Sequence, residues 1–103
     1  MLNKLQHGTQ SSVTATHATA AVATRDAVSG RTHCAMAVSV SSDKATSILL
    51  IKDGTTVIWQ QQVGATFCNI TFPGGLTATA GALLSAEIDG TAACKANLSV
   101  ITI

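Results

Sequence analysis

Between Ser47 and Gln62 the chain reads SILLIKDGTTVIWQQQ, two apolar runs that meet at Asp53-Gly54. Asp-Gly between strand-like runs is a strong hairpin signal, because a two-residue type I′ turn needs positive φ at both central positions and these residues tolerate it. Ile48, Leu49, Leu50 and Ile51 on one side, and Val57, Ile58 and Trp59 on the other, are mostly β-branched or aromatic types that fit a pleated, half-buried surface. The stretch predicts a hairpin turning on Asp53 and Gly54, set in an all-β domain. Both runs are apolar in both strand phases, so each face wants cover. One cover is expected from an opposing sheet and the other from a neighbouring subunit.

The rest of the chain carries the same signals. Residues 1–11 have little periodicity and read as a flexible arm, followed by a single domain over 12–103. Residues 12–24, SVTATHATAAVAT, are expected as a strand, and Arg25 to Thr32 as a turn centred on Ser29-Gly30. From His33 to Ser41 the alternation puts Cys34, Met36, Val38 and Val40 on one face, with Ala35, Ala37, Ser39 and Ser41 on the other. Residues 66–72 alternate again, with Cys68, Ile70 and Phe72 opposite Phe67, Asn69 and Thr71. Pro73-Gly74-Gly75 is expected to stop that strand, since proline cannot donate to a ladder. Leu84, Ala86 and Ile88 share a face before a turn at Asp89-Gly90. A last strand places Cys94, Ala96, Leu98 and Val100 inward and Lys95, Asn97 and Ser99 outward. Seven or eight short antiparallel strands, with a turn signal every ten residues or so, make a small β-sandwich or jelly roll.

Composition then narrows function. In 103 residues only 11% are charged while 47% are hydrophobic, and the mean hydropathy is +0.39. Charged residues usually make up about a quarter of a soluble chain, so part of this surface is expected to lie against a partner. A net charge of +1 gives no footprint for nucleic acid or anionic lipid. There is no apolar leader after Met1 and no run long enough to span a bilayer, which is the pattern of a chain made in the cytoplasm.

Candidate chemistry is sparse. Cys34, Cys68 and Cys94 are too far apart for a metal knuckle and fall in inward phases, so they read as buried thiols. His7, His17 and His33 lack the spacing of a metal site, although His17 and His33 would face each other if the first two strands paired. The acids Asp26, Asp43, Asp53, Glu87 and Asp89 lie mostly in turns. Asp53 and Asp89 precede glycine, where the side chain serves turn chemistry. No GxSxG elbow or paired-carboxylate arrangement points to an enzyme, and no cofactor or metal is implied. The sequons at Asn69 and Asn97 lie inside predicted strands. Trp59, the sole tryptophan, reads as core or interface packing in preference to a sugar platform.

Several of these stretches together resemble small β-sandwich structural proteins of tailed-bacteriophage virions, including head decoration or cement proteins. They are Ser29-Gly30-Arg31-Thr32-His33, Lys52-Asp53-Gly54-Thr55-Thr56, Phe72-Pro73-Gly74-Gly75-Leu76 and Leu98-Ser99-Val100, and the similarity covers most of residues 12–103. The resemblance implies a non-enzymatic protein on the capsid surface that binds the major capsid protein of an assembled shell, commonly as a homotrimer. Partner contacts would then come from the arm (Leu2, Lys4, Leu5, His7) and from Trp59. Asp53, Gly54, Pro73, Gly74, Gly75, Asp89 and Gly90 would be structural turn residues. The alternative is a receptor- or carbohydrate-binding module of a tail fibre or adhesin.

Overall fold

The computed structural model describes residues 8–103. Their secondary structure is eight strands: β1 (Thr9–His17), β2 (Ala20–Arg25), β3 (His33–Ser42), β4 (Ile48–Asp53), β5 (Thr56–Gln62), β6 (Phe67–Thr77), β7 (Leu84–Asp89) and β8 (Cys94–Thr102). They form two four-stranded sheets ordered β1-β8-β3-β6 and β2-β7-β4-β5. All ladders are antiparallel, and β4 pairs with β5, β3 with β6, β2 with β7 and β1 with β8. The chain is therefore one long ribbon, doubled at the β4–β5 hairpin and wrapped into two sheets, which is the jelly-roll form of the β-sandwich expected from the sequence. The hairpin is the tip of that ribbon.

The inner faces follow the predicted alternation in most strands. Leu49 and Ile51 of β4, Leu84, Ala86 and Ile88 of β7, and Ala96, Leu98 and Val100 of β8 have no exposed surface. Val38, Val40 and Phe72 close the core, with Cys68 and Ile70 packed at its margin. At about 25 cal/mol per Å², each fully buried Leu or Ile contributes on the order of 2 kcal/mol.

Five expectations change. The two-residue loop of the hairpin is Gly54-Thr55, because Asp53 pairs with Thr56 inside the ladder. Gly54 has φ +62° and no described non-glycine residue has positive φ, so a glycine in the first central position replaces the type I′ arrangement with one of the II′ kind. Residues 12–24 are not one strand. They break at Ala18-Thr19, where the His17 ring nitrogen Nδ1 accepts from the backbone of Thr19 (3.1 Å) and Ala20 (3.2 Å), and the chain passes to the other sheet.

Pro73-Gly74-Gly75 does not end its strand. β6 runs on to Thr77 by bulging, so that Thr71 pairs with Ala37 and Leu76 with Ala35. Gly74 and Gly75, both at φ +81°, absorb the kink. At the same level β3 itself bulges: Met36 has no partner in the β6 or the β8 ladder, which reverses the phase before it. Ala35 pairs with inward Val100, and Cys34 pairs with Ile101 on the outer face. Cys34 is still fully buried, but beneath Gly75 and beside Met36 and Thr77. Finally, the arm boundary moves: Thr9, Gln10 and Ser11 belong to β1, paired with Thr102, Ile101 and Val100.

Candidate functional site

The outer face of the β1-β8-β3-β6 sheet is a lattice that the pairing register spells out. One row across it reads Thr16, Lys95, Ser41, Phe67; the next reads Thr14, Asn97, Ser39, Asn69; a third reads Ser12, Ser99, Ala37, Thr71. Strands lie about 4.8 Å apart and alternate residues about 6.7 Å along a strand. The small side chains of β3 are thus flanked by the longer ones of β8 and β6. That difference in size creates a shallow trough along β3, a depression of about 240 Å³ lined by Ser39, Val40 and Ser41, by Phe67 and Asn69, and by Lys95 and Asn97.

Phe67 stands at one rim with 75% of its surface exposed. Lys95 stands opposite, and the ion pairs among the described residues, Lys44–Asp89 and Lys52–Glu87, do not include it. Asn97 is oriented by the Thr14 hydroxyl, which lies 3.1 Å from its Oδ1.

The outer face of the other sheet is different in kind. Val22 of β2, Glu87 of β7, Leu50 of β4 and Gln60 of β5 form one row, and Thr24, Ser85, Lys52 and Val57 form the next. Ile48 lies beside Asp89, whose carboxylate accepts its backbone N–H at 3.0 Å. Val22 (42%), Ile48 (44%) and Val57 (43%) are exposed there. The β4–β5 hairpin thus has one face in the core and an apolar opposite face turned outward.

Three of the acids, Asp43, Asp53 and Asp89, are committed to holding loops. Asp43 accepts backbone N–H bonds from Thr91 (2.8 Å), Ala92 (2.9 Å) and Ala93 (3.2 Å). Those bonds, led by the one from Thr91, hold its carboxyl below the usual aspartate range. Asp89 is lowered likewise, first by the Lys44 ammonium at 2.7 Å and then by the Ile48 N–H. Asp53 does not close its own turn; its Oδ2 accepts from the Thr79 N–H (3.0 Å) and hydroxyl (2.7 Å), fixing the β6–β7 connection. Gly90 follows Asp89 and donates its N–H to the Thr19 carbonyl at 2.9 Å.

Of the remaining candidates, Trp59 turns inward at the sheet edge and packs on Phe72 and the core. It does not form an outer platform. Leu2, Lys4, Leu5 and His7 lie outside the described residues. His33 is fully buried, its Nε2 donating to the Asp26 carbonyl at 2.7 Å while Nδ1 lies 2.8 Å from Thr102 Oγ1. His17 pairs with Cys94 at the other end of β8, so the two imidazoles do not face each other. The described residues hold no cluster of three or more His, Cys, Asp or Glu placed to share a metal ion. No described helix is long and apolar enough to cross a membrane.

No protein-family model matches the chain, and no curated protein matches it. Among solved structures it is similar to the periplasmic g-type lysozyme inhibitor PliG of Aeromonas hydrophila, at 10% identity and TM-score 0.45 over 95% of this chain and 90% of that one. It is similar also to the CBM36-1 domain of a multidomain xylanase from the hindgut metagenome of Trinervitermes trinervoides, at 11% identity and TM-score 0.46 over 91% and 95%. A third is PirA, at 10% identity and TM-score 0.48 over 91% and 98%. At such identities no residue of this chain inherits a role from them; the eight-stranded antiparallel β-sandwich rests on the chain's own strands and their pairing.

Proposed function

We infer that this chain is a non-enzymatic structural protein of a phage virion that binds the assembled capsid, using the outer face of the β2-β7-β4-β5 sheet as its contact surface. The observation that carries this reading is the exposed apolar set of Val22, Ile48 and Val57, with half-buried Leu50 among them, spread around the Lys52–Glu87 pair on the two central strands. Several exposed apolar side chains gathered on one sheet face mark a protein contact. The acids support the non-enzymatic part, since Asp43, Asp53 and Asp89 hold backbone N–H groups and Glu87 is paired with Lys52. Self-association as a trimer would add avidity on a repeating shell.

Shells lacking the protein, titrated with wild type and with Ile48→Asp or Val57→Asp, test the reading. Both substitutions are at exposed positions, so the fold should persist, and shell binding should fall by about tenfold or more. Removing residues 1–7, which leaves β1 whole, tests the arm separately. Undiminished binding by both face variants would place the contact elsewhere.

A further inference from the structure

We propose that the trough along β3, on the sheet face opposite the apolar contact surface, is a binding site for an acidic saccharide, a chain of sugars carrying carboxylates. Its lining is matched to such a ligand group by group. Ser39, Ser41, Asn69 and Asn97 offer groups that both donate and accept, which suits a ligand whose hydroxyls do the same. The Phe67 ring, three-quarters exposed, supplies an apolar surface for the C–H face of a sugar.

Lys95 supplies a cation with no carboxylate partner among the described residues, whereas Lys44 and Lys52 each have one. That unmatched charge selects an anionic ligand. Thr14, by engaging Asn97 Oδ1, leaves that amide's N–H groups to point at a ligand; it is a positioning residue. Two alternatives fit less well. Nucleic acid needs several phosphate contacts, and one lysine does not supply them. An extended peptide adding to the sheet needs a free edge, but β3 is bonded on both sides by β8 and β6.

The test uses the full chain, ¹⁵N-labelled and titrated with tetragalacturonate and, separately, with neutral cellotetraose. The acidic oligosaccharide should shift amides in the rows through Lys95 and Asn97 and bind tighter than the neutral one. Phe67→Ala should weaken it by about tenfold. Lys95→Gln should abolish the preference for the acidic ligand while melting as wild type does. Both positions are exposed, so loss of binding by a folded variant is a site effect. The proposal is overturned if tetragalacturonate fails to bind at millimolar concentration, if cellotetraose binds as well, or if neither substitution weakens binding. Shell binding by these variants stays at the wild-type level, because the contact surface lies on the other sheet, so this test and the shell titration fail independently.

Discussion

Trp59 and Phe72 meet edge to face, with ring centroids 5.1 Å apart and planes at 77°. They come from β5 and β6, the outermost strands of the two sheets on one side of the sandwich, so the contact closes a seam that no backbone hydrogen bond crosses. Phe72 is buried and Trp59 half-buried. Phe72→Ala should cost about 3 to 5 kcal/mol, the range for deleting a core aromatic. Trp59→Ala should cost less, since part of its ring already meets water. The double variant should fall short of additivity by about 0.5 to 1.5 kcal/mol, the share belonging to the ring pair. Urea unfolding of the four proteins measures this, and additive losses would mean the rings act independently.

Gly75 is where the β6 bulge depends on one residue type. It sits at φ +81°, and a Cβ there would clash with Cys34 Sγ and stand 3.0 Å from Met36 Sδ. Gly75→Ala therefore combines left-handed strain, about 1 to 2 kcal/mol, with overpacking of about 1 to 3 kcal/mol. Gly81→Ala is the control: φ is +75° but open space surrounds the site, so only strain applies. Chemical unfolding should rank Gly75→Ala well below Gly81→Ala in stability, and Gly75→Ala/Cys34→Ala should recover part of the difference.

These two sites also mark where the sequence is readable. The inward phases of β7 and β8 are local alternations, and the structure keeps them; β4, apolar in both phases, offered no such choice. Cys34 shows the limit: its phase depends on the bulge at Met36, which faces the bulged Pro73-Gly74-Gly75 segment some forty residues away, so a period-2 pattern read within β3 alone assigns it to the wrong face. The hairpin turn slid one residue because Asp53 is claimed by Thr79, a distant partner. The trough is a third case. Lys95, Asn97, Phe67 and Asn69 are outward-facing by alternation, but their convergence requires β8 and β6 to flank β3, an order set by the wrapping of the ribbon. Local chemistry fixes which side of a strand a residue takes; the ribbon fixes its neighbours.

At the end of the sandwich where β3 passes to β4 and β7 to β8, the two crossing loops are clamped together. Asp43 holds the N–H groups of residues 91–93, Asp89 holds Lys44 and the Ile48 N–H, and the Ser42 hydroxyl donates to the Asp89 carbonyl at 2.7 Å. Both carboxyls titrate below the ordinary aspartate value of 3.8 in the folded chain. A depressed folded value means the unfolded chain takes up the proton first. The stabilisation is therefore fully present above the unfolded value, and it is lost as pH falls from about 4 through the lower folded values. Melting temperature should be flat from neutral pH down to about 5 as far as these groups are concerned, then drop. Asp43→Asn should lower it at neutral pH and flatten the acid limb. Asp26→Asn, which removes a carboxylate with no hydrogen bond among the described residues, should do neither. An acid limb in Asp43→Asn as steep as that of the wild type would assign the loss to other groups.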